Sequence, residues 1–171
     1  NLSLVALGGF LLWFGWFGFN GGSALAANEI AVRAIFTTQL ASGAALLTWG
    51  FLDHRRTGRV SVVGACIGAI VGLVAITPAA GYVTMAASVF IGIVAAWVSF
   101  YAVHMRSKFG IDDTLDVFPC HGMGGIVGMI LTAVFAENGG LVHGGGFHLL
   151  LIHLAGLIIV IGYAFGMSVG I

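Results

Sequence analysis

Asp112-Asp113-Thr114-Leu115-Asp116-Val117-Phe118-Pro119-Cys120-His121-Gly122-Met123-Gly124-Gly125 opens an apolar run that holds no further acid or base until Glu137. A membrane-spanning helix needs about 20 mostly apolar residues, and residues 115–136 supply them. The three carboxylates stand where a helix start leaves free backbone N–H groups, so Asp112, Asp113 and Asp116 read as caps on the positive end of its dipole. One polar side chain, His121, falls about two turns inside. An ionisable group at that depth is expensive in hydrocarbon, and it must find a partner or face a cavity.

The rest of the chain repeats the pattern. Of 171 residues, 60% are hydrophobic and 7% are charged, against about 25% charged in a typical soluble domain. Charges and Gly/Pro clusters separate six apolar runs, at roughly 1–22, 30–52, 60–79, 83–105, 115–136 and 147–170, joined by short connections at 23–29, 53–59, 80–82, 106–114 and 137–146. Six buried helices of a soluble protein would leave too little polar surface to keep it in solution. The fold class is all-α, a polytopic membrane helical bundle.

Five of the six cations fall on one side of such a bundle: Arg55, Arg56 and Arg59 after the second run, Arg106 and Lys108 after the fourth. The other side has Arg33, with Glu29, Glu137 and His143. By the positive-inside rule, Asn1 and Ile171 are both expected in the cytoplasm. Glu29 and Arg33 are four apart and predict a local ion pair on the outer side. The chain starts at Asn1 without a Met or a basic flank and cleavage site, so it reads as part of something longer and not as a signal peptide. Net charge is zero with no basic stripe, which argues against a nucleic-acid partner.

Glycine predicts tight packing. Gly18/Gly22, Gly64/Gly68, Gly68/Gly72 and Gly124/Gly128 are small-xxx-small pairs, which let membrane helices approach closely. Cys66 and Cys120 lie in apolar runs and form no CxxC pair, so they read as small buried thiols.

Candidate functional residues are few. His121 suits accepting or relaying a proton, or it packs through a hydrogen bond to a neighbouring helix. Trp16, Phe19 and Ser23 fall at i, i+3 and i+7, on one face if the first helix continues that far. Their rings attract cations, or they belong to the aromatic belt of a membrane interface. His143, His148 and His153 are spaced by five and cannot form an i, i+4 metal pair; the first two are expected at the outer interface, and His153 reads as packing or as function. No Walker motif, nucleophile elbow, HExxH or catalytic carboxylate pair is present, so no enzyme, cofactor or metal is expected.

Two segments together, Trp16-Phe17-Gly18-Phe19-Asn20-Gly21-Gly22-Ser23-Ala24 and Asp112 to Gly125, resemble the ammonium transporter, methylammonium permease and Rhesus family, most closely its bacterial ammonium transporter branch. Between them, Gly64-Ala65-Cys66-Ile67-Gly68-Ala69-Ile70-Val71-Gly72-Leu73-Val74-Ala75-Ile76-Thr77-Pro78-Ala79-Ala80-Gly81-Tyr82 also matches a family segment. The resemblance implies an eleven-helix subunit of two inverted five-helix repeats plus a final helix, assembled as a homotrimer in the inner (plasma) membrane. Residues 1–171 would be the second repeat and the final helix, with the first repeat absent.

By position, His121 resembles one of the twin histidines of the pore, Phe19 a phenylalanine of the gate, Ser23 the hydroxyl of the outer recruitment site and Trp16 a pore-lining tryptophan. The implied function is passage of ammonium or ammonia across the lipid bilayer. An ammonium sensor coupled to a signalling domain is the alternative. A PII-type signal protein is a further implied partner.

Overall fold

The computed structural model describes residues 1–106, 108, 110 and 112–171. Six α-helices follow in order: α1 (Leu2–Gly22), α2 (Glu29–Thr57), α3 (Val62–Ile76), α4 (Met85–Arg106), α5 (Met123–Phe135) and α6 (His148–Gly170), with a π-helical turn, Phe118–Gly122, leading into α5. No strand occurs among the described residues. Among the described residues, five helical segments, counting Phe118–Phe135 as one, are long and apolar enough to cross a membrane. Hydrocarbon offers no partner to a free N–H or C=O, so helices satisfy the backbone internally.

The helix starts are chemically marked. Asn28 accepts from the Ala31 N–H at 3.0 Å, Ser61 from Gly64 at 2.7 Å and Thr84 from Ala87 at 3.1 Å. Gly58, at φ +74°, ends α2 in the left-handed conformation that a Cβ resists. The expected connection at 53–59 is largely absorbed into α2. The one at 106–114 includes Ser107, Phe109 and Ile111, which lie outside the described residues.

Helix α2 is the central post. Against it α3 packs through glycine: a Cβ on Gly72 would lie 2.6 Å from the Ala41 carbonyl oxygen, and one on Gly68 would lie 3.0 Å from that of Ala45. Gly92 brings α4 against Ala41, and Gly128 brings α5 against Ala75. The Gly64/Gly68/Gly72 stripe therefore does what the sequence predicts. Gly18 and Gly22 do not, because a Cβ at either would meet nothing within 4 Å. The closest glycine approach on α1 is made by Gly21, whose Cβ would lie 2.9 Å from Ile35. The core between these posts holds Val71, Ala75, Ile91 and Ala95 with Trp49 edge-on to Phe100 at 5.2 Å.

Several expectations are corrected. The third run is helical for only 15 residues, because Pro78 has no N–H to extend the ladder and residues 77–82 go into turns. The fifth run does not start its α-helix near 115. Asp116 takes φ +54°, Pro119 again removes a donor, and the turn widens so that the Met123 N–H reaches the Phe118 carbonyl. Arg33 pairs with Glu137, 104 residues away, and not with Glu29. The turn after α3 brings that carboxylate to Arg33: Gly81 lies against Ile30 and Ala34 of α2, and the Glu137 N–H donates to the Tyr82 carbonyl at 2.9 Å. Of the three capping aspartates, Asp113 accepts from Val117 at 2.9 Å and Phe118 at 2.8 Å. Asp116 instead pairs with Arg106 at 3.1 Å. Cys120 is buried, Cys66 only half-buried, and both are free.

Candidate functional site

The π turn positions His121. Asp113 holds its first N–H groups and the Arg106–Asp116 pair anchors its approach. The wider turn places Pro119 and Cys120 in the core and leaves His121 exposed on the opposite side. Its imidazole lines a cleft of about 850 Å³ between α3, α5 and α6, walled mainly by Val74, Ile126, Met129, Leu157 and Val160. The other polar side chains of that lining are Thr77 and Ser168. A mostly apolar cleft with one imidazole penalises a bare ion and accepts a neutral hydrogen-bonding molecule.

The C-terminal end of α1 supplies the second cluster. The helix runs to Gly22 and Ser23 closes it in helical conformation, so Trp16, Phe19 and Ser23 share the face their spacing predicts. The rings of Trp16 and Phe19 meet edge-on at 5.7 Å. The Ser23 hydroxyl donates to the Phe19 carbonyl at 2.6 Å, and because the residue is exposed its oxygen lone pairs remain available as acceptors. Phe19 is 62% exposed. The next residue is its fixed point: Asn20, 6% exposed, donates to the Thr38 hydroxyl of α2 at 2.9 Å.

One hydrogen bond links the two clusters. The Trp16 indole N–H donates to the Thr77 hydroxyl at 2.8 Å, and that hydroxyl donates onward to the Leu73 carbonyl at 2.7 Å. Thr77 lines the His121 cleft, so Trp16 is oriented by a group in the same cavity wall. Thr77 and Asn20 were not singled out from sequence. The available signal was a hydroxyl directly before Pro78 and an amide inside an apolar run. His143 and His148 are exposed, near the end of the bundle that carries Glu137. No group of three or more His, Cys, Asp or Glu side chains suited to a metal occurs among the described residues.

The family model described as Ammonium Transporter Family matches residues 1–171. The chain belongs to the ammonium transporter family. Among relatives in this family, an ammonium transporter of Aquifex aeolicus (strain VF5) is 52% identical over 138 residues, covering 80% of this chain and 33% of that protein. The crystal structure of Saccharomyces cerevisiae Mep2 superimposes with a TM-score of 0.93 at 37% identity, covering 98% of this chain and 40% of that one. A structure described as a sensor Amt protein gives 0.89 at 32% identity, covering 98% and 42%. The chain thus spans a third to two fifths of the length of these members. The family is one of multi-pass membrane transporters, not of enzymes, and the all-helical architecture is theirs.

Proposed function

We propose that these residues form one half of a pore that passes ammonium or ammonia across the bilayer, the other half being the first inverted repeat. The observation that carries this is His121, the imidazole set in an otherwise mostly apolar cleft. Ammonium and potassium have equal charge and similar size, so selection has to use what differs: ammonium donates four hydrogen bonds and can lose a proton. Outward-facing lone pairs of Ser23 and the rings of Phe19 and Trp16 collect and partly dehydrate the cation. Phe19 gates entry. Beyond it, a bare ion in the apolar passage costs at least several kcal/mol. Together with a histidine of the first repeat, His121 accepts the proton and hydrogen-bonds neutral ammonia. Potassium has no proton to give up.

Residues 1–171 act here as the second repeat plus the final helix, in the plasma or inner membrane, with Arg55, Arg56, Arg59, Arg106 and Lys108 on the cytoplasmic side. Assembly as a homotrimer and contact with a PII-type protein follow from the resemblance. Flux of ammonium against potassium in proteoliposomes of the full-length protein is the test. His121→Ala is expected to lower ammonium flux at least tenfold or to admit potassium. Wild-type flux with unchanged discrimination would remove the proton-handling role.

A second reading, an ammonium sensor, is favoured by the likeness to the sensor Amt structure. In that case ligand binding biases a cytoplasmic signalling domain, and reconstituted flux is low or absent even in the wild type.

A further inference from the structure

At the end of the bundle away from Glu137, a groove of about 190 Å³ runs between α1, α2 and α3. Its walls include Gly9, Phe10 and Trp13 of α1, Leu46 of α2, and Ala65 and Cys66 of α3. Val60 and Ser61, in the α2–α3 connection, bound it at the end of the bundle. No charged side chain lines it. Of its polar atoms, Ser61 Oγ accepts from the Gly64 N–H at 2.7 Å and the Trp13 indole donates to Gln39 at 3.1 Å. Gly9 leaves the space open, since a Cβ there would lie 3.3 Å from Cys66 Sγ. From Val62 to Ala69 the lining follows α3 for about 10 Å, at about 1.5 Å per residue. The groove therefore enters the hydrocarbon layer from one interface, and its walls offer dispersion contacts to an apolar chain.

The mouth of the groove is basic. Arg55 and Arg56 occupy the last turn of α2, Arg59 directly precedes Val60, and all three are exposed. Ion pairs among the described residues join Arg33 to Glu137 and Arg106 to Asp116, so these three guanidiniums have no carboxylate partner. The neighbouring acid, Asp53, is turned away from them, with its Oδ2 buried against Gly64 of α3. Arg55 lies over the Phe51 ring, 5.2 Å from its centroid, a pairing of cation and aromatic suited to a membrane interface.

We propose that this groove holds one acyl chain of an anionic phospholipid whose phosphate lies against Arg59, with Arg55 and Arg56 strengthening the local field. Charge decides the occupant. A second copy of this chain inserted in the same sense presents the same arginines at this level, and a neutral lipid leaves them uncompensated. The leaflet facing the cytoplasm carries the anionic lipids, which agrees with the orientation given above. The proposal needs the bundle to lie in a membrane and does not need the transport reading.

Bromine on an acyl chain quenches indole fluorescence at contact range, and Trp13 is a reporter already in the wall. Full-length protein in detergent is titrated with brominated phosphatidylglycerol or with brominated phosphatidylcholine of the same chains. The signal of Trp13 is the quenching that disappears in Trp13→Phe. Saturable quenching is expected, tighter for phosphatidylglycerol by about fivefold, the effect of one arginine at a membrane surface. Exchanging Arg55, Arg56 and Arg59 together for Gln should bring the two lipids to equal affinity. Ala6→Phe, which puts a ring into the lining, should weaken both. No quenching of Trp13 by either lipid would show the groove closed by another segment or another copy, and would overturn the proposal. Equal affinities in the wild type, or a preference that survives in the arginine variant, would remove the headgroup site. Quenching unchanged in Ala6→Phe would place the chain elsewhere. Flux is not measured, so a failure of the transport reading would be seen separately.

Discussion

Gly72→Ala tests how the helix packing controls the site. The added Cβ would lie 2.6 Å from the Ala41 oxygen, 2.7 Å from the Ser42 Cα and 2.8 Å from the Ala45 Cβ, whereas ordinary contact begins at 3.4 Å. Two of those three atoms are backbone, so no rotamer change relieves the clash. Moving from 2.6 to 3.4 Å requires α3 to retreat from α2 by about 0.8 Å. The Ser42 hydroxyl, which donates to the Ala69 carbonyl at 3.0 Å, would be stretched by the same motion. Thr77 follows α3 directly, so the same motion would strain the 2.8 Å bond between Trp16 and Thr77. Overpacking of this kind costs about 1–3 kcal/mol. Gly18→Ala is the matched control, since its Cβ meets nothing within 4 Å, and exchanging Gly for Ala within a helix there gains about 0.5–1 kcal/mol. Thermal melting in detergent or lipid should place Gly72→Ala well below wild type and Gly18→Ala at or above it. Ammonium flux of the full-length protein should fall in the first variant only. If Gly72→Ala melts no lower than Gly18→Ala, the close α2–α3 approach does not hold the bundle together and the reasoning fails.

Three further outcomes are expected. Thr77→Val keeps the shape but leaves the Trp16 N–H without its acceptor, at a cost of about 1–3 kcal/mol; melting should fall accordingly and flux with it, while Thr77→Ser should restore both. A double-mutant cycle with Arg33→Gln and Glu137→Gln should show a coupling below about 1 kcal/mol, weakened by salt, because both side chains are more than a third exposed. Glu29→Gln should show no coupling to Arg33. The N–H groups of Phe118 and Val117, helped by the charge of Arg106, hold the Asp113 carboxyl below its ordinary 3.8. Its contribution to stability is therefore present above pH 3.8 and lost as pH falls below it through the lowered folded value. A melting temperature measured across that acid range should drop more steeply in wild type than in Asp113→Asn, and equal slopes would contradict the cap.

Much of the site was legible because the expense of polar groups in hydrocarbon marks them. His121 stood out as the polar interruption of the fifth run, and the spacing of Trp16, Phe19 and Ser23 required only that one helix continue to Gly22. Thr77 was not legible, since its meaning depends on Trp16, 61 residues earlier, reaching its hydroxyl. Asn20 was hidden likewise, its partner being Thr38 on another helix. The π turn escaped as well, because hydrophobic periodicity over five residues cannot separate a widened turn from an α-helix.

Composition and spacing by themselves determined the solvent, the helical class, the positions of the runs and the glycine stripe of α3, because hydrocarbon demands apolar length and an internally satisfied backbone whatever the neighbours are. Only tertiary structure decided which partner each polar group took: Arg33 chose Glu137 over Glu29, Asp116 left its capping role for Arg106, and Gly21, not Gly18 or Gly22, met another helix. Partner choice depends on distances between segments far apart in the chain, and a few ångströms between packed helices outweigh proximity in sequence.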